Sequence, residues 1–247
     1  MAYIKFWRVC VVLTLSAIGF GAAAEGRGAN DGATNGQSAN GQSAIGRTAN
    51  VPGAQLLEAS AQGDSARVRQ LLADGAPIET RDGQGNTPLL RATQGNHAQA
   101  AAALIEAGAN VNAQNNMQDS AYLLAGAQGY REILELTLSH GADLKSTNRY
   151  GGTALIPACE RGHVEVVQRL LQAGVDPNHV NRLGWTGLLE AIILSDGGPR
   201  HQAIVALLIE GGADVNLPDK DGRTPLQHAR QRGQTEIVKM LERARAR

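Results

Sequence analysis

One stretch of this sequence returns every 33 residues, and that period limits the possible folds more than any other feature. Residues Asp82 to Ala92 stand a set distance before Leu104 to Asn112. The same spacing separates Asn148 to Ala158 from Leu170 to Asn178, and Asp219 to Ala229 opens a final copy. A fixed period of this size predicts identical supersecondary units, each burying its apolar face against the next. It does not predict a single core around a catalytic cleft. Binding is the expected work of such a chain.

Each copy carries its own start and stop signals. The Thr87 hydroxyl can accept from a free backbone N–H, and Pro88 at the first helical position gives up no bond it would have made. Leu89 and Ala92 then face inward at helical spacing, with alanine small enough for a neighbouring helix to come close. A turn at Gly95, Asn96 and His97 leads to a second helix whose Leu104 and Ile105 fill the core. Gly108 follows where a left-handed cap is wanted, and Asn110 to Asn112 run out into a hairpin toward the next copy. The reading is all-α, built from helix-turn-helix-hairpin units.

Thr87-Pro88-Leu89 with Ala92 in phase at this period resembles the ankyrin repeat. The resemblance covers residues 53–247 and implies a solenoid of six units: 53–81, 82–114, 115–147, 148–180, 181–218 and 219–247. The first unit has lost its opening hairpin but keeps Leu56, Ala59, Leu71, Leu72, Gly75 and Ala76. The last turns Ile237, Val238 and Leu241 inward and Glu236, Lys239, Glu242 and Arg243 outward, as a terminal capping unit requires.

Two units depart from the pattern. In the third, Ser120-Ala121 replaces Thr-Pro, Gln118 replaces the hairpin glycine, and Gly126 sits inside the first helix at a cost of about 1 kcal/mol. Unit three is therefore expected to be the soft point of the stack. In the fifth, residues 195–201 lengthen the turn between the helices by five residues, because Asn181 and Asp219 lie 38 apart.

The first residues read as an address. Lys5 and Arg8 precede an apolar run, Val9 to Phe20, and Ala22 to Ala24 offer a small-residue cleavage site. Residues 1–24 are thus expected to be a secretory signal peptide, with an apolar run too short to span a bilayer. Residues 25–52 are rich in Gly, Ala, Asn and Ser, with Asn35 to Ala39 repeated at once by Asn40 to Ala44. They read as a flexible linker. Without the signal, 21 basic residues face 23 acidic ones, a balance that argues against nucleic acid. Cys159 is then the only cysteine, so no internal disulfide is expected.

No catalytic set assembles. His97 and His163 start second helices and are expected to bond turn backbone. His140 meets a helix C-terminus, and His179, His201 and His228 share no spacing suited to zinc. Cys159 falls where most units place alanine and reads as a core thiol. Nucleophile elbows, phosphate loops and paired carboxylates are missing from the sequence. The expectation is a protein that is not an enzyme and takes no cofactor or metal.

The resemblance implies binding through a concave groove, lined by hairpin tips and the exposed ends of the first helices. Mapped onto this chain, the tips are Gly83, Gln84 and Asn86; Asn116, Met117 and Asp119; Arg149, Tyr150 and Gly152; Arg182, Leu183 and Trp185; Lys220, Asp221 and Arg223. Helix positions add residues such as Arg161. Trp, Tyr and Arg are the residue types enriched in interface hot spots. The expected partner-binding set is Met117, Arg149, Tyr150, Arg161, Arg182, Leu183, Trp185 and Arg223. Trp185 could alternatively fold back over the neighbouring hairpin. The leading expectation is a monomeric periplasmic protein whose partner is a toxin or cell-wall enzyme that it inhibits, an immunity-like role. The alternatives are secretion from the cell, support of an exported enzyme such as one in oxidative-stress defence, or a general envelope scaffold.

Overall fold

The computed structural model describes residues 51–246. The expected signal peptide, and the expected linker up to residue 50, lie outside the described residues. Twelve helices run through the rest: α1 Pro52–Gln62, α2 Ser65–Ala73, α3 Pro88–Gln94, α4 Ala98–Glu106, α5 Ala121–Gln128, α6 Arg131–Ser139, α7 Leu155–Glu160, α8 Val164–Gln172, α9 Gly187–Ile193, α10 Pro199–Glu210, α11 Pro225–Gln231 and α12 Thr235–Arg243. They fall into six consecutive pairs. First helices pack on first helices (α1 on α3, then α5, α7, α9 and α11), and second helices on second helices from α2 to α12. Between the layers runs one apolar core, with Leu56, Leu89, Leu104, Ile133, Leu155, Leu170, Leu188, Leu208, Leu226 and Leu241 buried along it.

The connection between pairs contains no strand among the described residues. Each is a loop held by the side chain of its first residue. Asp82 Oδ1 accepts from the backbone N–H of Gln84 and of Asn86. Asn115, Asn148, Asn181 and Asp219 each accept in the same way from the second and fourth residues after them. An Asp or Asn oxygen at this place replaces the ladder that a hairpin would use. One backbone pair closes each loop, as in Asp82 N–H to Asn86 O at 3.1 Å. The fourth loop residue is left-handed in all five: Gly85, Gly151, Gly184 and Gly222, and in unit three Gln118 with φ 59°. A side chain there opposes a backbone setting that glycine adopts freely.

Thr87, Ser120, Thr186 and Thr224 cap their helices by accepting from the N–H three residues on. Ser120 thus fills the threonine's role in unit three. Unit four is the exception. Pro157 stands where the N–H that should bond the Thr153 carbonyl is required, as Arg91 bonds Thr87 and Leu124 bonds Ser120. Proline has no such hydrogen. Helix α7 begins late, at Leu155, and the buried Thr153 Oγ1 finds no protein partner. Gly126, the other irregularity, has a packing cause. A Cβ there would come within 2.7 Å of the Ala154 Cβ in the next unit, so its helical cost accompanies a close approach of α5 to unit four.

Side chains clasp the units in two opposite directions. On the side of the turns within each pair, donors point back: the Arg161 guanidinium donates to Ala127 O, and the Gln234 amide to Ile192 O. The His97 and His201 rings lie 3.0 Å from Ala61 O and Glu160 O. In the stretch between a second helix and the loop after it, donors point forward, from Asn112 to Gly141 O, Gln114 to Thr147 O and Asn178 to Gly212 O. His97 therefore bonds turn backbone as its position implied. His201 does the same, which its place in the sequence concealed. Counted back from Gly212 it matches His163 counted back from Gly174, and the five extra residues lie before it, partly as an added turn of α10.

Candidate functional site

The loop tips and the ends of the first helices form adjacent rows along one side of the stack. Met117 and Leu183 are the tips that expose a large apolar side chain, at 46% and 41%. Arg182 and Arg223 are exposed as well, whereas Arg149, Tyr150, Arg161 and Trp185 are half-buried. Asn86 does not belong to this surface, although its position in the unit pointed there. It is fully buried, its amide donating to Asp82 Oδ2 while its oxygen accepts from Asn115.

Several of these side chains are fixed by bonds to the preceding unit. The Arg149 guanidinium lies over its own neighbour's ring, 4.6 Å from the Tyr150 centroid, and 3.9 Å from Asp119 Oδ2. A cation over a ring face adds electrostatic attraction to the contact. Burial pushes the Asp119 carboxyl up, and the nearby Arg149 and Arg161 charges oppose that rise. Arg182 donates to the Arg149 carbonyl at 2.5 Å, and its own N–H to Tyr150 O at 2.9 Å. The tips of units four and five are thereby joined, so Arg149, Tyr150, Arg182, Leu183 and Trp185 occupy one continuous patch. Met117 and Arg223 lie on tips to either side of it. Trp185 is absent from the apolar side chains packed on the core.

A buried acid lies directly beneath. Glu190, on α9, has no exposed surface. Its Oε1 accepts from Asn181 Nδ2 at 2.7 Å, and its Oε2 meets no protein donor. Burial pushes its pKa up to about 8, and the Glu160 charge adds to the rise. The carboxyl is consequently protonated at neutral pH. Cys159 abuts the next unit, where a Cβ on Gly187 would come within 3.1 Å of its Sγ. The thiol is fully buried, and burial and Glu190 raise its pKa well above the ordinary value. A protonated, enclosed thiol is a poor nucleophile, in keeping with the expected core role.

Glu190 was not singled out from sequence, but a signal for it exists. In units two, five and six the residue four after the cap meets the first residue of its own loop. Where that first residue is Asp the helix supplies a base: Arg91 lies 4.0 Å from Asp82, and His228 Nε2 lies 2.7 Å from Asp219. Where it is Asn the helix supplies Leu124, Pro157 or Glu190. The two positions vary together within the chain. Among the described residues no group of three or more His, Cys, Asp or Glu side chains is arranged to hold a metal ion, and no helix is long and apolar enough to cross a membrane.

The family described as "Ankyrin repeats (3 copies)" matches residues 56–148, 123–219 and 155–245. The chain is similar to a solved ankyrin repeat domain from Acinetobacter baumannii AYE, at 60% identity and a TM-score of 0.76, over 78% of this chain and 98% of that one. It is also similar to the ankyrin repeat protein EF0377, at 46% identity and a TM-score of 0.75, over 77% and 97% of the two chains. The ankyrin repeat domain of Bcl-3, a member of the IkappaB family, matches at 28% identity and a TM-score of 0.71, over 78% and 86%. The ankyrin repeat protein YahD of Escherichia coli (strain K12) is 58% identical over 53 residues, which are 22% of this chain and 26% of YahD. The matched stretch thus spans about a quarter of that curated relative.

Proposed function

The chain belongs to the ankyrin-repeat family, and from that premise we propose that it is a periplasmic binding protein that holds one protein partner against its tips and blocks it, as an immunity protein blocks a toxin or cell-wall enzyme. Ankyrin repeats generally mediate protein–protein interactions and are non-catalytic. The observation that carries the reading is the patch on units four and five. Trp185 and Tyr150 offer half-buried aromatic surface beside the exposed Leu183, and the Arg182 bonds hold the two tips in place before any partner arrives. Large aromatic and arginine side chains already fixed in position lose little freedom on binding. The periplasmic assignment rests on the charged start, apolar run and small-residue site of residues 1–24.

The test is affinity capture from a periplasmic extract, repeated with Trp185→Ala. A captured protein should bind the variant about 30-fold more weakly, the loss expected when a hot-spot anchor worth about 2 kcal/mol is truncated. Equal affinity for a variant that still folds would remove this patch from the reading, and a partner captured only from cytosol would remove the compartment.

A further inference from the structure

The cations of units four to six form a ladder whose positive charge is left largely unneutralised. The second loop residue is Arg149 in unit four, Arg182 in unit five and Lys220 in unit six. The Arg182 guanidinium donates to the carbonyl of Arg149, and the Lys220 ammonium donates to the carbonyl of Arg182. Arg182 and Lys220 are therefore each anchored on the backbone of the cation before it. A neutral carbonyl fixes the side chain without cancelling its charge. The helix-end row repeats this arrangement, with Arg161 on Ala127 O and Arg232 on Ser195 O. Among the described residues, Arg149 alone of the three ladder cations forms a salt bridge, 3.9 Å from Asp119 Oδ2.

Acids along these rows are few. Asp221 lies on the tip of unit six and Glu160 at the end of α7, with Asp196 in the lengthened turn of unit five. Glu190 is protonated beneath the row, and the Asp219 side chain is turned inward on His228. The other described residues carry more acid than base. Positive charge is thus concentrated here on a chain with no basic excess, a distribution that favours an acidic partner and one docking orientation.

The spacing narrows the partner further. Packed helices lie 8–10 Å apart, so stacked units repeat their tips at roughly that interval. Three residues of a polyproline II chain make one full turn and cover about 9 Å, so every third side chain returns to the same face. A polyproline II segment lying along the tips would bring every third side chain to a cation. Resting on the protein-binding reading above, we infer that the tips of units four to six take an acidic protein segment in the polyproline II conformation with carboxylates at positions i, i+3 and i+6. These would meet Arg149, Arg182 and Lys220, while an apolar side chain between them would lie against Leu183 and Trp185. A nucleic acid is disfavoured, because its closely spaced phosphates call for a continuous basic face and the rest of this chain is acidic.

The test uses the full chain and three probes: a nine-residue peptide with Glu at every third position, an isomer with the three Glu adjacent, and a single-stranded oligonucleotide of equal charge. The spaced peptide should bind at least tenfold more tightly than its isomer, and more tightly than the oligonucleotide. The double variant Arg182→Gln, Lys220→Gln, checked for intact helicity by circular dichroism, should bind it about tenfold more weakly. Equal binding of the two peptides, or no loss in the double variant, overturns the inference, and preference for the oligonucleotide overturns it in favour of nucleic acid. If a Trp185-dependent partner is captured but the spaced peptide does not compete for the site, the protein-binding reading stands and the acidic segment alone fails.

Discussion

Units five and six build the same loop from opposite electrostatics. In both, one oxygen of the first loop residue accepts from two backbone N–H groups. The other terminal atom is what differs. In unit six it is a second carboxylate oxygen, turned to His228. Burial alone would raise the Asp219 pKa, but the N–H groups of Arg223 and Asp221 and the His228 ring pull it below the ordinary value. In unit five that atom is an amide nitrogen, donating to a carboxyl that burial keeps protonated. The loop needs only an acceptor, and the helix beneath decides whether Asp or Asn supplies it. Charge at these positions is therefore a local match within each copy, able to change from one copy to the next without altering the loop.

The largest effect should come from forcing unit five to copy its neighbour. Asn181→Asp keeps the accepting oxygen but places a carboxylate against Glu190. At pH 9, where Glu190 loses its proton, two adjacent buried charges should cost about 3–5 kcal/mol. At pH 6 the protonated Glu190 can donate to the new carboxylate, so most of that loss should disappear. Urea unfolding at both pH values measures the difference, and a loss independent of pH would separate Asn181 from Glu190.

A smaller effect, of opposite sign, is expected from Glu190→Gln. The unfolded chain releases the Glu190 proton near the ordinary carboxylate value of about 4.5, whereas the folded chain keeps it to about 8. The contribution of this group is thus full below pH 4.5, falls as pH rises to 8 and stays low above that. The amide variant should lack this decline and be more stable at neutral pH by about 1–2 kcal/mol. Thermal melts between pH 5 and pH 9 would show the two curves diverging as pH rises.

The smallest effect belongs to Asp219→Asn in unit six, which keeps the loop's acceptor and loses only the carboxylate facing His228. A lowered carboxylate pKa contributes stability above the unfolded value, and that contribution is lost as pH falls through the folded one. The variant should cost about 1 kcal/mol at pH 7 and less at pH 2, because the contribution of the native carboxylate declines as pH falls. An equal deficit at both pH values would mean that the loop requires a carboxylate after all.

What could be read from sequence divides along the range of its physical causes. Helix starts at Thr87 and Thr224, the left-handed Gly108 and the inward Leu104 and Ile105 follow from interactions within a few residues, and each has its own residue signature. Gly126 depends on what the next unit places beside it, so one copy alone gives no reason for it, while the match of Glu190 to Asn181 in its own loop shows only when the copies are compared. Asn86 was assigned to the outer surface by its position in the unit, but it is buried because Asn115 reaches back to it. His201 was hidden by arithmetic, since the insertion displaced it from the common count. Unit three was expected to be the weak copy. Its serine caps normally and its glycine makes room for Ala154, while Pro157 leaves unit four with a shortened first helix and an unsatisfied hydroxyl. Gln118 in its left-handed setting is the remaining strain in unit three.

The opposed clasps between units bear on how a chain of this kind changes length in its lineage. A copy in the middle of the stack reaches backward with one set of side chains and forward with another, and it offers carbonyls to both neighbours. Duplicating or deleting a whole period carries every hook along with its eye, wherever in the unit the break falls. Adding or removing a fraction of a period strands hooks on one side and eyes on the other. Lineages of this architecture should accordingly grow and shrink by entire copies, while shorter insertions survive only where unit five has placed its own, in a turn ahead of the residue that makes the clasp.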